Sequence, residues 1–269
     1  MKSIVTGGAG FIGSNLVESL VKKNHKVIVI DNFKVGRKKN LENVKKKIKI
    51  VNGDIRELKK ISNYFKGVDN VYHLAALADI VPSIENPTEY YSTNVTGTLN
   101  VLKASIQNNV KRFIYSASSS CYGIPKQYPT KENSDIRPEY PYALTKRLGE
   151  ELVLHFAKVY KLNATSLRFF NVYGLRARTS GSYGAVFGVF LAQILADQPL
   201  TVVGNGKQKR DFTYVSDVIS AITKVSKKRS LLGEVLNVGS GKTVSVNQIV
   251  KLLGGKKINI PRRPGEPNI

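Results

Sequence analysis

The chain has 269 residues, 42% of them hydrophobic and 23% charged, enough to bury a sizeable core as one large domain or one and a half. No apolar run approaches the ~18 residues that span a bilayer, and Met1-Lys2-Ser3 leads straight into an apolar run, so no membrane contact and a cytoplasmic site are expected. One cysteine, Cys121, excludes an intramolecular disulfide, and the three histidines form no metal-ligand cluster in the sequence.

The net charge of +23 admits two readings. A basic chain can bind nucleic acid or an anionic surface. Alternatively, the excess is compositional, because most of the cations are lysines and Asn and Ile are also plentiful. The basic residues are spread along the chain (Lys22, Lys45 to Lys47, Lys59, Lys111, Lys227, Lys256) without interleaved aromatics. That favours the second reading, so no nucleic-acid partner is expected.

In chain order, Ser3 to Thr6 reads as a buried strand, followed by Gly7-Gly8-Ala9-Gly10-Phe11-Ile12-Gly13 and an amphipathic helix to about Lys23. Val27 to Ile30 is a second strand ending at Asp31, and Ile48 to Val51 a third, followed by Gly53-Asp54. Val71 to Leu74 is a fourth, leading into Ala75-Ala76. A helix over Tyr90 to Asn108 precedes a fifth strand, Arg112 to Ser116. A helix over Tyr142 to Tyr160 precedes a sixth, Ala164 to Arg168. This alternation predicts an α/β fold, a doubly wound parallel sheet. Beyond Asn171 the alternation fades: Thr179 to Gly184 and Gly204 to Gly206 break the pattern, with one helix near Phe187 to Ala196. Val235 to Val238 reads as a strand returning to the sheet. Residues 1–170 are thus expected to form the dinucleotide-binding domain. Residues 171–269 form a smaller lobe over the carboxyl ends of the strands, where ligands bind in such sheets.

The glycines at 7, 10 and 13 follow a strand and open a helix. Gly7 suits a tight turn, Gly10 allows the backbone to approach a pyrophosphate held by the helix N-terminus, and Gly13 lets the helix lie close to the sheet. Asp31, at the end of the second strand, is placed to accept hydrogen bonds from the adenosine ribose and to repel a 2′-phosphate. That favours NAD over NADP, while Arg37 and Lys38 leave the phosphorylated form open. Asp54 reads either as an adenine contact or as a turn aspartate. Tyr142 and Lys146 lie one turn apart on one helix face. By itself that spacing is an ordinary helix surface. Beside a dinucleotide site it reads as a base: a phenol titrates near about 10, and a neighbouring ammonium and an oxidised nicotinamide favour the phenolate. Cys121 reads as a packed small residue, with no histidine near it in sequence.

Together Thr6 to Gly13, Asp31-Asn32, Gly53-Asp54, His73-Leu74-Ala75-Ala76, Asn94-Val95, Ser118-Ser119-Ser120-Cys121-Tyr122-Gly123, Tyr142 to Lys146, Arg168-Phe169-Phe170-Asn171 and Arg210-Asp211-Phe212 resemble the extended short-chain dehydrogenase/reductase family. The branch is that of nucleotide sugars, nearest to UDP-sugar 4-epimerases. The resemblance implies NAD held by Gly7, Gly10, Phe11, Ile12, Gly13, Asp31, Asn32, Asp54, Ile55, Leu74, Ala75, Ala76, Tyr142 and Lys146. It implies Tyr142 as catalytic base, Lys146 lowering its pKa and holding the nicotinamide ribose, Ser118 hydrogen-bonding the reacting hydroxyl, and Asn94 orienting the Tyr-Lys pair. Substrate would meet Ser118, Ser119, Ser120, Tyr142, Asn171, Arg210 and Arg263, the arginines suiting diphosphate. A homodimer through the helices at Tyr90 to Asn108 and Tyr142 to Tyr160 is implied as well.

The residues after Ser118 separate the reactions within that branch. Relatives that dehydrate the sugar carry an Asp-Glu pair there, and decarboxylating relatives keep the second carboxylate. Ser119 and Ser120 have no usable pKa near neutrality and cannot take those roles. The implied reaction is inversion at carbon 4 of a UDP-sugar through a transient 4-keto form, with NAD regenerated. Decarboxylation or reduction is the neighbouring possibility, and a non-catalytic protein binding RNA a more distant one. Ala78 stands where some glucose/galactose epimerases have a lysine. The resemblance also implies a chain continuing several tens of residues past the Arg263 motif, with the residue that gates N-acetyl sugars just beyond Ile269.

Overall fold

Runs such as Val27-Ile28-Val29-Ile30 are buried on both faces, as a parallel strand covered by helices on either side requires. The fold is given by a computed structural model, which describes residues 1–178, 186–228 and 231–261. It runs β1 (Lys2–Thr6), α1 (Phe11–Lys22), β2 (Lys26–Asp31), β3 (Ile48–Asn52), α2 (Leu58–Ile61), β4 (Asn70–His73), α3 (Ile80–Glu85), α4 (Pro87–Tyr91), α5 (Gly97–Gln107), β5 (Arg112–Ser118), α6 (Pro141–Tyr160) and β6 (Ala164–Phe169). There follow β7 (Asn171–Tyr173), α7 (Val186–Leu195), β8 (Leu200–Val203), β9 (Lys209–Tyr214), α8 (Val215–Lys227), β10 (Val235–Val238), β11 (Thr243–Ser245), α9 (Val246–Leu253) and β12 (Lys257–Ile260).

The main sheet has seven parallel strands in the order β10-β6-β5-β4-β1-β2-β3, the doubly wound Rossmann arrangement. Strand order reverses between β1 and β4, so the loops leaving them diverge and open a crevice at the carboxyl ends. On one face Val101 and Leu102 of α5 and Val153 and Phe156 of α6 pack over Ile4, Val71 and Phe113. On the other, Leu16, Val17 and Leu20 of α1 and Val218, Ile219 and Ile222 of α8 pack over Val5, Val29, Tyr72 and Ile114.

Two features differ from the sequence expectation. The helix over Tyr90 to Asn108 is α4 and α5 joined by a π-helical turn, Ser92–Thr96, whose extra residue 3.6-residue periodicity does not reveal. After Asn171 the regular structure continues rather than fades. α8 packs on the main sheet and β10 extends it beside β6. The remaining elements form two small sheets, β11-β9-β7 and β12-β8, around Phe190, Leu200, Val202, Val246, Ile249 and Val250. Tyr173 stacks on Phe187 there at 4.4 Å between ring centroids. The Thr179 to Gly184 stretch lies outside the described residues. Among the described residues no helix is long and apolar enough to cross a membrane.

Candidate active site

A cavity of about 700 Å³ opens at the carboxyl ends of the strands. Gly7, Gly10, Phe11, Ile12, Gly13, Asp31, Asn32, Asp54, Ile55, Leu74, Ala75 and Ala76 line it, with Ser118, Tyr142, Lys146 and Asn171. Its size is that of a pocket for a sizeable organic ligand. Gly7 takes φ +69°, and a Cβ on it would lie 2.7 Å from the backbone N and Cα of Ala75. A Cβ on Gly13 would collide with the Gly7 carbonyl, so α1 can sit this close to β1 only with glycine there. Among the described residues no side chain caps the first turn of α1, leaving its N–H groups and positive dipole end for an anion. A Cβ on Gly10 would meet only the Gly7 oxygen, at 3.2 Å, so the backbone there is otherwise approachable. The cradle therefore fits a dinucleotide pyrophosphate.

Asp31 closes β2 and braces this loop. Its Oδ2 accepts from Ala9 N and its Oδ1 from Phe33 N, both at 2.9 Å. Burial raises its pKa above the usual carboxylate value, and the two backbone N–H groups oppose that. Each oxygen keeps a second lone pair for a ribose hydroxyl. Asp54 is held more tightly: Arg56 Nε and Nη2 donate to it at 2.9 and 2.6 Å, and Asn32 Nδ2 at 3.0 Å. Chiefly through Arg56, its pKa falls to about 2, so it is a firm anion at the cavity wall.

The reacting end is assembled by β5 and α6. Ser118 ends β5, and its Oγ accepts from Ser120 N at 3.2 Å and from Ser120 Oγ at 2.8 Å. Pro141 fills the first position of α6, where its missing N–H costs nothing, and Tyr142 N donates to Ser83 Oγ at 3.0 Å. Burial pushes the Tyr142 phenol above its ordinary pKa, opposed by hydrogen bonds with Ser118 and Ser120, while the Asp79 carboxylate adds to the rise. Lys146 is buried with Nζ 4.4 Å from the Tyr115 ring centroid, and burial lowers its pKa to about 7, opposed by Glu150. Burial, not the lysine, is thus the largest influence on the phenol in the protein alone.

Asn94 lies behind this wall, in the π turn, and does not line the cavity. Its amide bonds Leu77 N at 2.8 Å, Leu77 O at 3.0 Å and Thr145 Oγ1 at 3.0 Å, so it fixes both the cavity loop and the residue before Lys146. Beneath it runs a buried chain: Thr98 Oγ1 donates to Asn94 O at 2.6 Å, which leaves it to accept from His73 Nε2 at 2.9 Å, while His73 Nδ1 accepts from Thr6 Oγ1 at 2.6 Å. Burial holds His73 neutral, its pKa lowered to about 3. Between pH ~6.5 and 3 the unfolded chain binds a proton at this site that the folded chain does not, so stability drops as pH falls through that window. His73→Gln should flatten the loss of melting temperature from pH 6.5 to 4. An unchanged slope in a folded variant would contradict this.

Ser119, Ser120 and Arg210 do not line the cavity. Arg210 lies on β9 of the small lobe and donates to Lys209 O at 2.8 Å. Its neighbour Asp211 accepts from Ser240 N and Gly241 N, each at 2.8 Å, and so anchors the turn after β10. Arg263 lies outside the described residues. The sequence reading missed Arg56, Arg176, Arg178 and Asp79, all on the cavity wall. Arg56 was legible as the cation two residues after Asp54. Arg178 and Asp79 meet only in the folded chain, in an ion pair on the cavity wall.

The family described as NAD dependent epimerase/dehydratase matches residues 3–239. The chain belongs to that family. A putative UDP-glucose 4-epimerase of Methanocaldococcus jannaschii is 37% identical over 254 residues, covering 93% of this chain and 80% of the relative. A UDP-N-acetyl-alpha-D-glucosaminuronate decarboxylase of Bacillus cytotoxicus is 36% identical over 257 residues, covering 93% and 78%. The crystal structure of UDP-glucose 4-epimerase from Thermotoga maritima, with UDP-glucose, has TM-score 0.93 and 34% identity, covering 98% of this chain and 87% of that one. As a member of the epimerase/dehydratase family the protein is an enzyme with NAD as its cofactor, in agreement with the glycine cradle and Asp31.

Proposed function

We propose that this family member inverts carbon 4 of a UDP-sugar. The observation that carries the reading is the placement of Ser118, Tyr142 and Lys146 on one cavity with the glycine cradle. Serines stand at 119 and 120, where dehydrating relatives carry their acid pair. Bound NAD supplies a reversible hydride acceptor. Tyr142 Oη takes the proton of the 4-hydroxyl, aligned by Ser118 Oγ, and returns it after the keto sugar has presented its other face. Lys146 holds the nicotinamide ribose and, charged, favours the phenolate. Asn94 keeps Tyr142 and Lys146 in register through Thr145. Asn171 on the cavity holds UDP, joined by Arg210 and Arg263 as the family resemblance implies, so binding energy at the nucleotide retains the intermediate while the sugar turns. The same reading divides the chain at residue 170 into cofactor domain and substrate lobe, with α8 and β10 returning to the sheet of the cofactor domain, and pairs two copies through α4, α5 and α6.

The test is NMR of the purified protein with UDP-glucose, UDP-N-acetylglucosamine and UDP-glucuronate. A 4-epimer signal without net NADH supports the reading and names the sugar. Carbon dioxide and a pentose product would move the assignment to decarboxylation, the reaction named for the Bacillus cytotoxicus relative.

A further inference from the structure

The ion pair between Arg178 Nη2 and Asp79 Oδ1 joins two residues that line the cavity from different elements of the fold. Arg178 follows β7 on the lobe side, and Asp79 follows β4 on the sheet side. Asp79 is itself anchored toward the reacting end. Its N–H donates to Tyr90 Oη at 3.2 Å, and it precedes α3, whose Ser83 Oγ receives the N–H of Tyr142 at 3.0 Å. Any shift of the Asp79 loop is therefore passed to the first turn of α6, and Arg178 is the lobe's hold on that loop.

We propose that Arg178 and Asp79 form a latch across the cleft, a salt bridge that ties the lobe to the sheet beside Tyr142 and screens the carboxylate from that phenol. The groups facing Tyr142 are Asp79 from the loop after β4, Tyr90 from α4, Tyr115 and Ser118 from β5, and Ser120 and Cys121 just beyond it; Lys146 lies on its own helix. Asp79 is the one carboxylate among them, and it raises the pKa of both Tyr142 and Tyr90. In the open cleft the pair is partly exposed, 40% and 21%, and a weak tie. With cofactor and sugar excluding water its screening strengthens, because the field of an unpaired carboxylate is less attenuated there. Breaking the latch from either side should then loosen the contents of the cleft, and removing Arg178, which leaves the carboxylate unpaired, should also push the phenol upward. The screening half rests on Tyr142 being the base; the tie does not.

The experiment uses wild type, Arg178→Gln, Asp79→Asn and the exchanged pair Asp79→Arg with Arg178→Asp. The release rate of bound NADH, whose reduced nicotinamide fluoresces, is read by stopped-flow displacement with excess NAD, and turnover is read against pH. Both single variants should release NADH about three- to tenfold faster, and the exchanged pair should return to within about twofold of wild type. Single variants releasing at the wild-type rate, or an exchange no better than the singles, would overturn the tie. Arg178→Gln should also move the acid limb of the turnover profile up by about half a pH unit or more, and Asp79→Asn should not. Equal movement in both, or none, would overturn the screening. If no UDP-sugar is turned over by any variant, the proposed reaction fails, and the NADH release rates still decide the latch.

Discussion

Tyr142→Phe is expected to lower the turnover of the UDP-sugar by about a hundred- to ten-thousandfold, the range a positioned general base contributes. NAD binding should remain within a fewfold of wild type. The substitution removes one oxygen at the reacting end and leaves the glycine cradle, the uncapped N-terminus of α1 and the Asp31 carboxylate untouched. Ser118 and Ser120 act to lower the pKa of the lost phenol, so Ser118→Ala should show a smaller drop of about tenfold. The same chemistry gives a pH prediction. The phenol acts when ionised, so turnover rises with pH until Tyr142 has lost its proton. Burial holds that phenol high in the protein alone, and a charged Lys146 beside bound cofactor must bring it down. Lys146→Met should therefore shift the acid limb to higher pH as well as lower the plateau. Steady-state kinetics from pH 5.5 to 10, with NAD affinity measured by calorimetry, checks all three variants. A Tyr142→Phe protein that binds NAD and turns over at more than a tenth of the wild-type rate would remove Tyr142 from the role of base.

The parallel sheet was legible because every strand to β6 is a short apolar run, and turns or helices of unambiguous pattern separate them. The glycine cradle was legible for a stricter reason: Gly7 and Gly13 stand where any side chain would strike backbone. The helix α8 was legible and went unread. Val215, Val218, Ile219, Ile222 and Val225 recur at helical spacing, but glycine-rich segments on either side suggested irregular structure. The π turn holding Asn94 was not legible, since one extra residue in a helix leaves no compositional mark. Nor was the hydrogen-bond chain through His73, which joins four residues from β1, β4, the π turn and α5. Contacts of that kind arise from register between strands, and a linear sequence carries register only indirectly. The pairing of Asp79 with Arg178, separated by 99 residues in the chain, belongs to the same class.

Removing Glu150 is expected to have the largest effect on stability. Its carboxylate is buried under α6, accepting from Arg168 Nη2 at 2.8 Å, Arg168 Nε at 3.1 Å and Ser166 Oγ at 2.7 Å, and pairing with Arg147. Arg168 is equally buried and also donates to Tyr122 Oη at 2.6 Å and Glu132 O at 3.0 Å. Glu150→Ala would leave a guanidinium without its counter-charge in the interior, at a cost of about 3–5 kcal/mol. For a chain of this size that lowers the melting temperature by about 6–20 °C. Burial acts to raise the Glu150 pKa, but Arg168 and Ser166 outweigh it and hold the carboxyl below its usual value. Its contribution is therefore complete above the unfolded value of about 4.3 and is lost as pH falls through the lower folded value. The gap between wild type and variant should be widest at neutral pH and narrow below pH ~4. Replacing both partners, Glu150→Met with Arg168→Met, should recover much of the loss, because the penalty comes from the orphaned charge rather than from a missing attraction. Calorimetric melting at pH 7.5 and 3.5 separates these outcomes. A double variant melting lower than Glu150→Ala would show instead that the ion pair itself, and not the unpaired arginine, holds the helix bearing Tyr142 and Lys146 against the sheet.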